Sequence, residues 1–140
     1  MKTKIITNYG DYIQEIRNQK NAKIATFNIS DDPRLVKDLK LAYPQKLLIG
    51  ISDRECSVGC NDCISRNMER YERIRLVKQR IESNGVTEVK IAANSSLKLT
   101  VNAKTAFVGG MNLTESEWVN AMIKVSGDRR LLNKYNKLFD

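Results

Sequence analysis

The sequence contains no histidine. Imidazole is the side chain that titrates near neutrality, so every mechanism that needs it as base, nucleophile, proton shuttle or metal ligand is excluded within this chain. Proline occurs twice and glycine seven times, and neither an internal repeat nor a low-complexity stretch is present. No run approaches the roughly 18 apolar residues that a membrane span needs. The opening residues, Met1-Lys2-Thr3-Lys4-Ile5-Ile6-Thr7, lack the apolar stretch of a signal peptide, so the expectation is a cytoplasmic protein without membrane contact. The three cysteines, Cys56, Cys60 and Cys63, fall within eight residues; an odd, tightly clustered set is not a secreted disulfide framework.

What is present is one compact domain's worth of chain: 140 residues, 41% hydrophobic and 29% charged, with no room for a second full domain. Twenty-four basic against 16 acidic residues give a net charge of +8, which favours polyanionic partners. Nucleic acid comes first among these, with an acidic protein surface or anionic lipid after it. The excess is spread along the chain rather than gathered in a tail, so any basic surface has to be assembled by folding.

Strand-like and helix-like segments alternate. Tyr12, Ile13 and Ile16 suit a short first helix, and Lys23 to Ile29 reads as a strand. Asp32 offers an N-cap with Pro33 at the first helical position, and that helix runs to about Ala42, stopped by Tyr43-Pro44. Lys46 to Ile51 is an apolar run of the kind a buried parallel strand shows. Ile64, Met68, Tyr71, Ile74, Val77 and Ile81 recur at spacings of three and four, marking a long amphipathic helix that closes at Asn84-Gly85. Strands then follow at Val86 to Ala92, Leu97 to Val101 and Thr105 to Val108, with Asn102-Ala103-Lys104 as a tight turn. Thr114 to Trp118 suits a helical turn, Asn120 to Val125 a strand, and Asp128 to Phe139 a closing helix. Such alternation implies a single α/β layered domain, a sheet with helices on both faces.

On the long helix, Arg66, Arg73 and Arg80 fall seven apart on one line with Arg70 beside it. One reading has these guanidinium groups meeting nucleic-acid phosphates; the other is a solvated face laced with ion pairs to Glu69 and Glu72. The cysteines ahead of this helix have the spacing C-x3-C-x2-C, which also carries the iron–sulfur cluster of radical S-adenosylmethionine enzymes, but no glycine-rich cofactor strand follows it here. A zinc site would need a fourth ligand beyond the three thiolates, from Asp53, Glu55, Asp62 or a partner subunit. The favoured expectation is no cofactor, with free thiols or one disulfide formed on oxidation.

The segment Ser96-Leu97-Lys98, then Asn102 to Gly109-Gly110-Met111-Asn112-Leu113-Thr114, with Ser116, Trp118, Asn120 and Asp128 beyond it, resembles the signature region of the phospholipase D superfamily. That resemblance implies a phospholipase D-like fold from about Lys23 onward. In the superfamily a His-x-Lys opens a strand, an Asp follows after four residues, and a hairpin leads to Gly-Gly or Gly-Ser and x-Asn. The histidine attacks phosphorus while lysine and asparagine hold phosphate oxygens, without a metal. Two signature copies build one site, so a chain with one copy is expected to form a homodimer.

The departures fall on the chemistry. Ser96 stands at the histidine position, Lys98 is kept, the aspartate falls on Ala103 or Asn102, and a glutamate that often follows Asn120 is Met122. The resemblance therefore implies a catalytically degenerate protein that binds nucleic acid or another phosphate-bearing ligand through a remnant pocket of Ser96, Lys98, Asn112 and Asn120. Two alternatives stay open. One is an active phosphodiesterase or nuclease in which Lys98 acts as base for Ser96. The other is an interaction module meeting an acidic protein, for instance as an inhibitor or decoy of a nuclease. Gly109-Gly110 and Asn112 also have a purely structural reading, as turn and helix cap.

Overall fold

The computed structural model describes residues 1–51, 61–93, 95–114 and 120–139, with the backbone alone for 61–68 and 93. The element order is β1 (Lys2–Ile6), α1 (Tyr9–Asn18), β2 (Lys23–Thr26), α2 (Pro33–Ala42), β3 (Lys46–Ile51), α3 (Asn61–Ser83), β4 (Val89–Ala93), β5 (Leu99–Val101), β6 (Thr105–Gly109), β7 (Met122–Ser126) and α4 (Arg129–Lys137). The strands form one seven-stranded sheet in the order β1-β7-β6-β5-β2-β3-β4. β2, β3 and β4 run parallel, and every other pairing is antiparallel.

Local chemistry fixes the helix ends. The Asn8 and Asp128 side chains accept backbone N–H groups at the starts of α1 and α4, and Asp32 does so for α2, where Pro33 occupies the first turn. Tyr43 closes α2 in the left-handed region at φ 48°, donating its N–H to Leu39 O, and Pro44 prevents continuation. Gly85, at φ 70°, ends α3.

Strand alternation then sorts the core into two layers. Ile24, Leu47, Ile49, Val89 and Phe107 pack with apolar residues of α1, α2 and α3. Ala25, Leu99, Val101 and Ala106 pack instead with Leu132, Tyr135 and Phe139 at the end of the chain. Helices therefore cover both faces, three on one and α4 on the other. Inside the larger layer the Tyr12 hydroxyl meets the Thr100 hydroxyl at 2.7 Å, both fully buried. Burial pushes the Tyr12 phenol well above its ordinary range.

Several boundaries differ from the sequence reading. β2 stops at Thr26 rather than Ile29, because the next two backbone N–H groups are taken by the Asn112 side chain instead of a neighbouring strand. β4 starts at Val89 rather than Val86, because the Val86 N–H turns back to Ile81 O and completes the end of α3. β5 and β7 begin two residues later than expected, at Leu99 and Met122. β1 is an edge strand that the pattern did not reveal. The helical turn expected over 114–118 falls largely on 115–119, outside the described residues.

Candidate functional site

The registers bring the carboxyl ends of β1, β2, β3, β4 and β6 to one edge of the sheet, together with the starts of β5 and β7. At this edge β2 has parallel β3 on one side and antiparallel β5 on the other, so the chain changes direction of growth here. Ligands of open α/β sheets bind outside strand ends at such a point.

Asn112 organises the edge. Its Oδ1 accepts the Phe27 N–H at 2.9 Å and the Asn28 N–H at 3.2 Å, 85 and 84 residues away in sequence. Two backbone donors fix which end of the amide is oxygen. The other end, Nδ2, makes no hydrogen bond among the described residues. Because no buried side-chain polar atom among them lacks a partner, this N–H donor is open to solvent. Thr26 holds the same loop from beneath, its hydroxyl donating to Asn28 O and accepting the Leu113 N–H at 2.9 Å.

Gly109 makes the approach feasible. It sits at φ 153°, and a Cβ there would lie 2.4 Å from Ala121 O. Gly110 then donates its N–H to the same oxygen at 2.9 Å. Of the two glycines, Gly109 has positive φ and Gly110 does not. The helix that Asn112 was expected to cap falls largely on 115–119, outside the described residues; among the described residues its side chain clamps the loop after β2.

Beyond this clamp lies a cavity of about 360 Å³ lined by Asn28, Asn112, Asn120, Thr7, Tyr9, Thr114, Gly110 and Met111. Its described lining carries no carboxylate and no cation. The cations stand alongside. Arg70 stacks on the Phe27 ring, 4.2 Å from its centroid, and donates to Phe27 O and to Gly50 O. Desolvation, then the neighbouring Arg73 charge, pull the Arg70 guanidinium below the usual arginine range. Arg73 donates to Asn28 Oδ1 at 2.9 Å. Lys98 Nζ lies 5.7 Å from the Phe27 centroid.

Of the residues expected to form a remnant pocket, Asn112 and Asn120 line one cavity, and Lys98 reaches Phe27 beside it. Ser96 is exposed. Lys98 Nζ meets the carbonyl oxygen of Ser96 at 3.4 Å, with no hydrogen bond to its hydroxyl. Among the arginines, Arg80 is engaged by Asp31, while Arg70 and Arg73 turn toward the loop after β2. The side chain of Arg66 lies outside the described residues, as do Cys56, Cys60 and the side chain of Cys63. Among the described residues no three metal-ligating side chains gather, and no helix is long and apolar enough to cross a membrane. Sequence reasoning missed Phe27 and Asn28. The available signal was their place at the carboxyl end of a β-former-rich run in an α/β chain.

No protein-family model and no curated protein matches the sequence. Solved structures do. Over 99% of its length the chain superposes on a polyphosphate kinase from Porphyromonas gingivalis, with a TM-score of 0.63 and 8% identity. That kinase belongs to the phospholipase D superfamily. The fold is phospholipase D-like. A second match, also over 99% of the chain, is TrmBL2, an archaeal chromatin protein described with a novel mode of DNA binding, at a TM-score of 0.51 and 12% identity. The chain spans 23% of the kinase and 52% of the chromatin protein. At such identities the likeness concerns the phospholipase D-like fold alone.

Proposed function

We propose that this chain binds a phosphodiester group of nucleic acid, without cleaving it, at the sheet edge built around Asn112. The observation that carries this reading is the set of three asparagines lining a cavity with no described carboxylate, flanked by Arg70, Arg73 and Lys98. Amide and hydroxyl donors suit phosphate oxygens, and the adjacent cations supply attraction without lining the cavity. The absence of histidine from the sequence removes the superfamily's nucleophile, and the Lys98 contact to a carbonyl oxygen gives Ser96 no base. The site is therefore read as binding and non-catalytic, with Asn112 and Asn120 as the phosphate donors. Lys98 and the arginines form its electrostatic surround. As in single-copy chains of the resembled superfamily, two copies are proposed to share the site as a homodimer.

The test is titration of a fluorescent single-stranded oligonucleotide into wild type and Asn120→Asp, with ³¹P spectra recorded on thymidylyl-thymidine. Binding that weakens at least tenfold in Asn120→Asp, with no hydrolysis product, is expected, since hydrogen bonds to a charged group contribute about 1.5–3 kcal/mol. Turnover by wild type, or an unchanged affinity in the variant, would overturn the reading. Native mass spectrometry tests the dimer: full affinity in a species of one chain removes the shared site.

A further inference from the structure

A second basic surface lies at the opposite edge of the sheet, where β2 begins, β5 ends and β6 begins. A bowl of about 880 Å³ opens there between the end of α1, the turn between β5 and β6, and the start of α4. Roughly 13 Å of strand separate Lys23, on its wall, from Phe27 at the first site. The two features are therefore independent.

The floor is tied together by side-chain hydrogen bonds. Gln19 Oε1 accepts from the Asn102 amide and, at 2.6 Å, from the Thr105 hydroxyl. Asn102 Oδ1 in turn accepts the N–H groups of Lys104 and Thr105 at 2.8 and 2.9 Å. Asn136 of α4 donates to Asn102 O at 3.3 Å, tying the helix to the turn. Around this floor stand Lys20, Lys23, Lys104 and Arg129. None of the four is in an ion pair among the described residues, where Arg17, Arg34, Arg75, Lys78, Arg80 and Lys124 all are. The described lining includes no carboxylate and no aromatic ring.

We infer that this bowl is a second anion-binding site, which takes the phosphate backbone of duplex nucleic acid without reading its sequence. Four cations distributed around one opening suit several phosphates rather than one. Single-strand sites rely on aromatic platforms for stacked bases, and the bowl has none. A duplex keeps its bases stacked and presents its phosphates outward, which is what cations set around one polar floor match.

The test measures binding of a fluorescent 20-base-pair duplex between 50 and 200 mM NaCl. It uses wild type, Lys104→Gln/Arg129→Gln, and Asn120→Asp at the first site. Both bowl residues are exposed and their side chains support no described contact, so the double variant is expected to fold; circular dichroism checks this. Each lost phosphate contact reduces the slope of log K against log salt by about 0.9. Over a fourfold salt range, two lost contacts make the variant's salt-induced loss of affinity about twelvefold smaller than that of wild type. That result in the folded double variant supports the bowl. An unchanged slope in the folded double variant overturns it, and if Asn120→Asp alone weakens binding, the first site stands without the second. A single strand of the same sequence that binds as tightly as the duplex, with the same dependence on Lys104 and Arg129, overturns the duplex assignment.

Discussion

Replacement of Asn112 by alanine and by aspartate separates its two roles. Alanine removes the oxygen that accepts the Phe27 and Asn28 N–H groups at 2.9 and 3.2 Å. Each bond contributes about 1–1.5 kcal/mol net, and the half-buried loop admits water only in part, so the loss should reach about 2–3 kcal/mol. For a domain of this size that corresponds to roughly 6–12 °C in Tm. Aspartate is nearly isosteric and keeps an acceptor for both donors, so its stability should stay within about 1 kcal/mol of wild type. It also replaces the open Nδ2 donor by an anionic oxygen. Oligonucleotide affinity should then fall at least tenfold in a protein that remains well folded. Urea unfolding followed by circular dichroism measures the first effect, and fluorescence anisotropy the second. An alanine variant within about 0.5 kcal/mol of wild type would refute the clamp, and undiminished binding by the aspartate variant would refute the donor role.

Three further outcomes follow from the same geometry. Tyr12→Phe should cost about 1–1.5 kcal/mol by leaving the buried Thr100 hydroxyl without its partner, whereas Tyr12→Phe/Thr100→Val, which removes both polar groups, should recover part of that in urea unfolding. Gly109→Ala should destabilise by about 3 kcal/mol or more, since it combines a positive φ with a Cβ 2.4 Å from a backbone oxygen, and it should lower the thermal midpoint more than Gly85→Ala, where the added Cβ meets nothing. The Lys78 hydrogen bond first, then the Val89 N–H, hold the Glu82 carboxyl below its usual range. The folded value is the depressed one, so this contribution is present above the ordinary glutamate value of about 4.3 and lost as pH falls through the folded value. Glu82→Gln should therefore flatten the acid limb of the urea midpoint against pH.

The parts of the fold that were legible in the sequence are those decided locally. Asp32-Pro33 and Asp128 fix helix starts through hydrogen bonds spanning two or three residues, and the apolar spacing of Ile74, Val77 and Ile81 marks one buried helix face. Asn112 and Asn120 were identifiable from the motif that carries both. What joins them to Asn28 was not legible, because the clamp bridges more than 80 residues and depends on sheet order. The same holds for the arginine line, where Arg80 finds Asp31 49 residues away and Arg70 finds the Phe27 ring. β1 escaped notice because an edge strand buries little: Ile5 is 67% exposed, and Lys2 and Lys4 interrupt the apolar run. The basic bowl left no local signature either, since its four cations come from three separated stretches of chain.

The central claim, phosphate held by asparagine amides without chemistry, is most directly tested by ¹⁵N spectra of the side-chain amides during titration with thymidylyl-thymidine, with ³¹P spectra of the same tube. The account predicts saturable shifts of the Asn112 and Asn120 amide signals, smaller or no shifts for an asparagine away from both the cavity and the bowl such as Asn84, and an intact phosphodiester after prolonged incubation. Amide signals that stay fixed at saturating ligand, or a phosphorus spectrum that shows enzymatic cleavage, would contradict it.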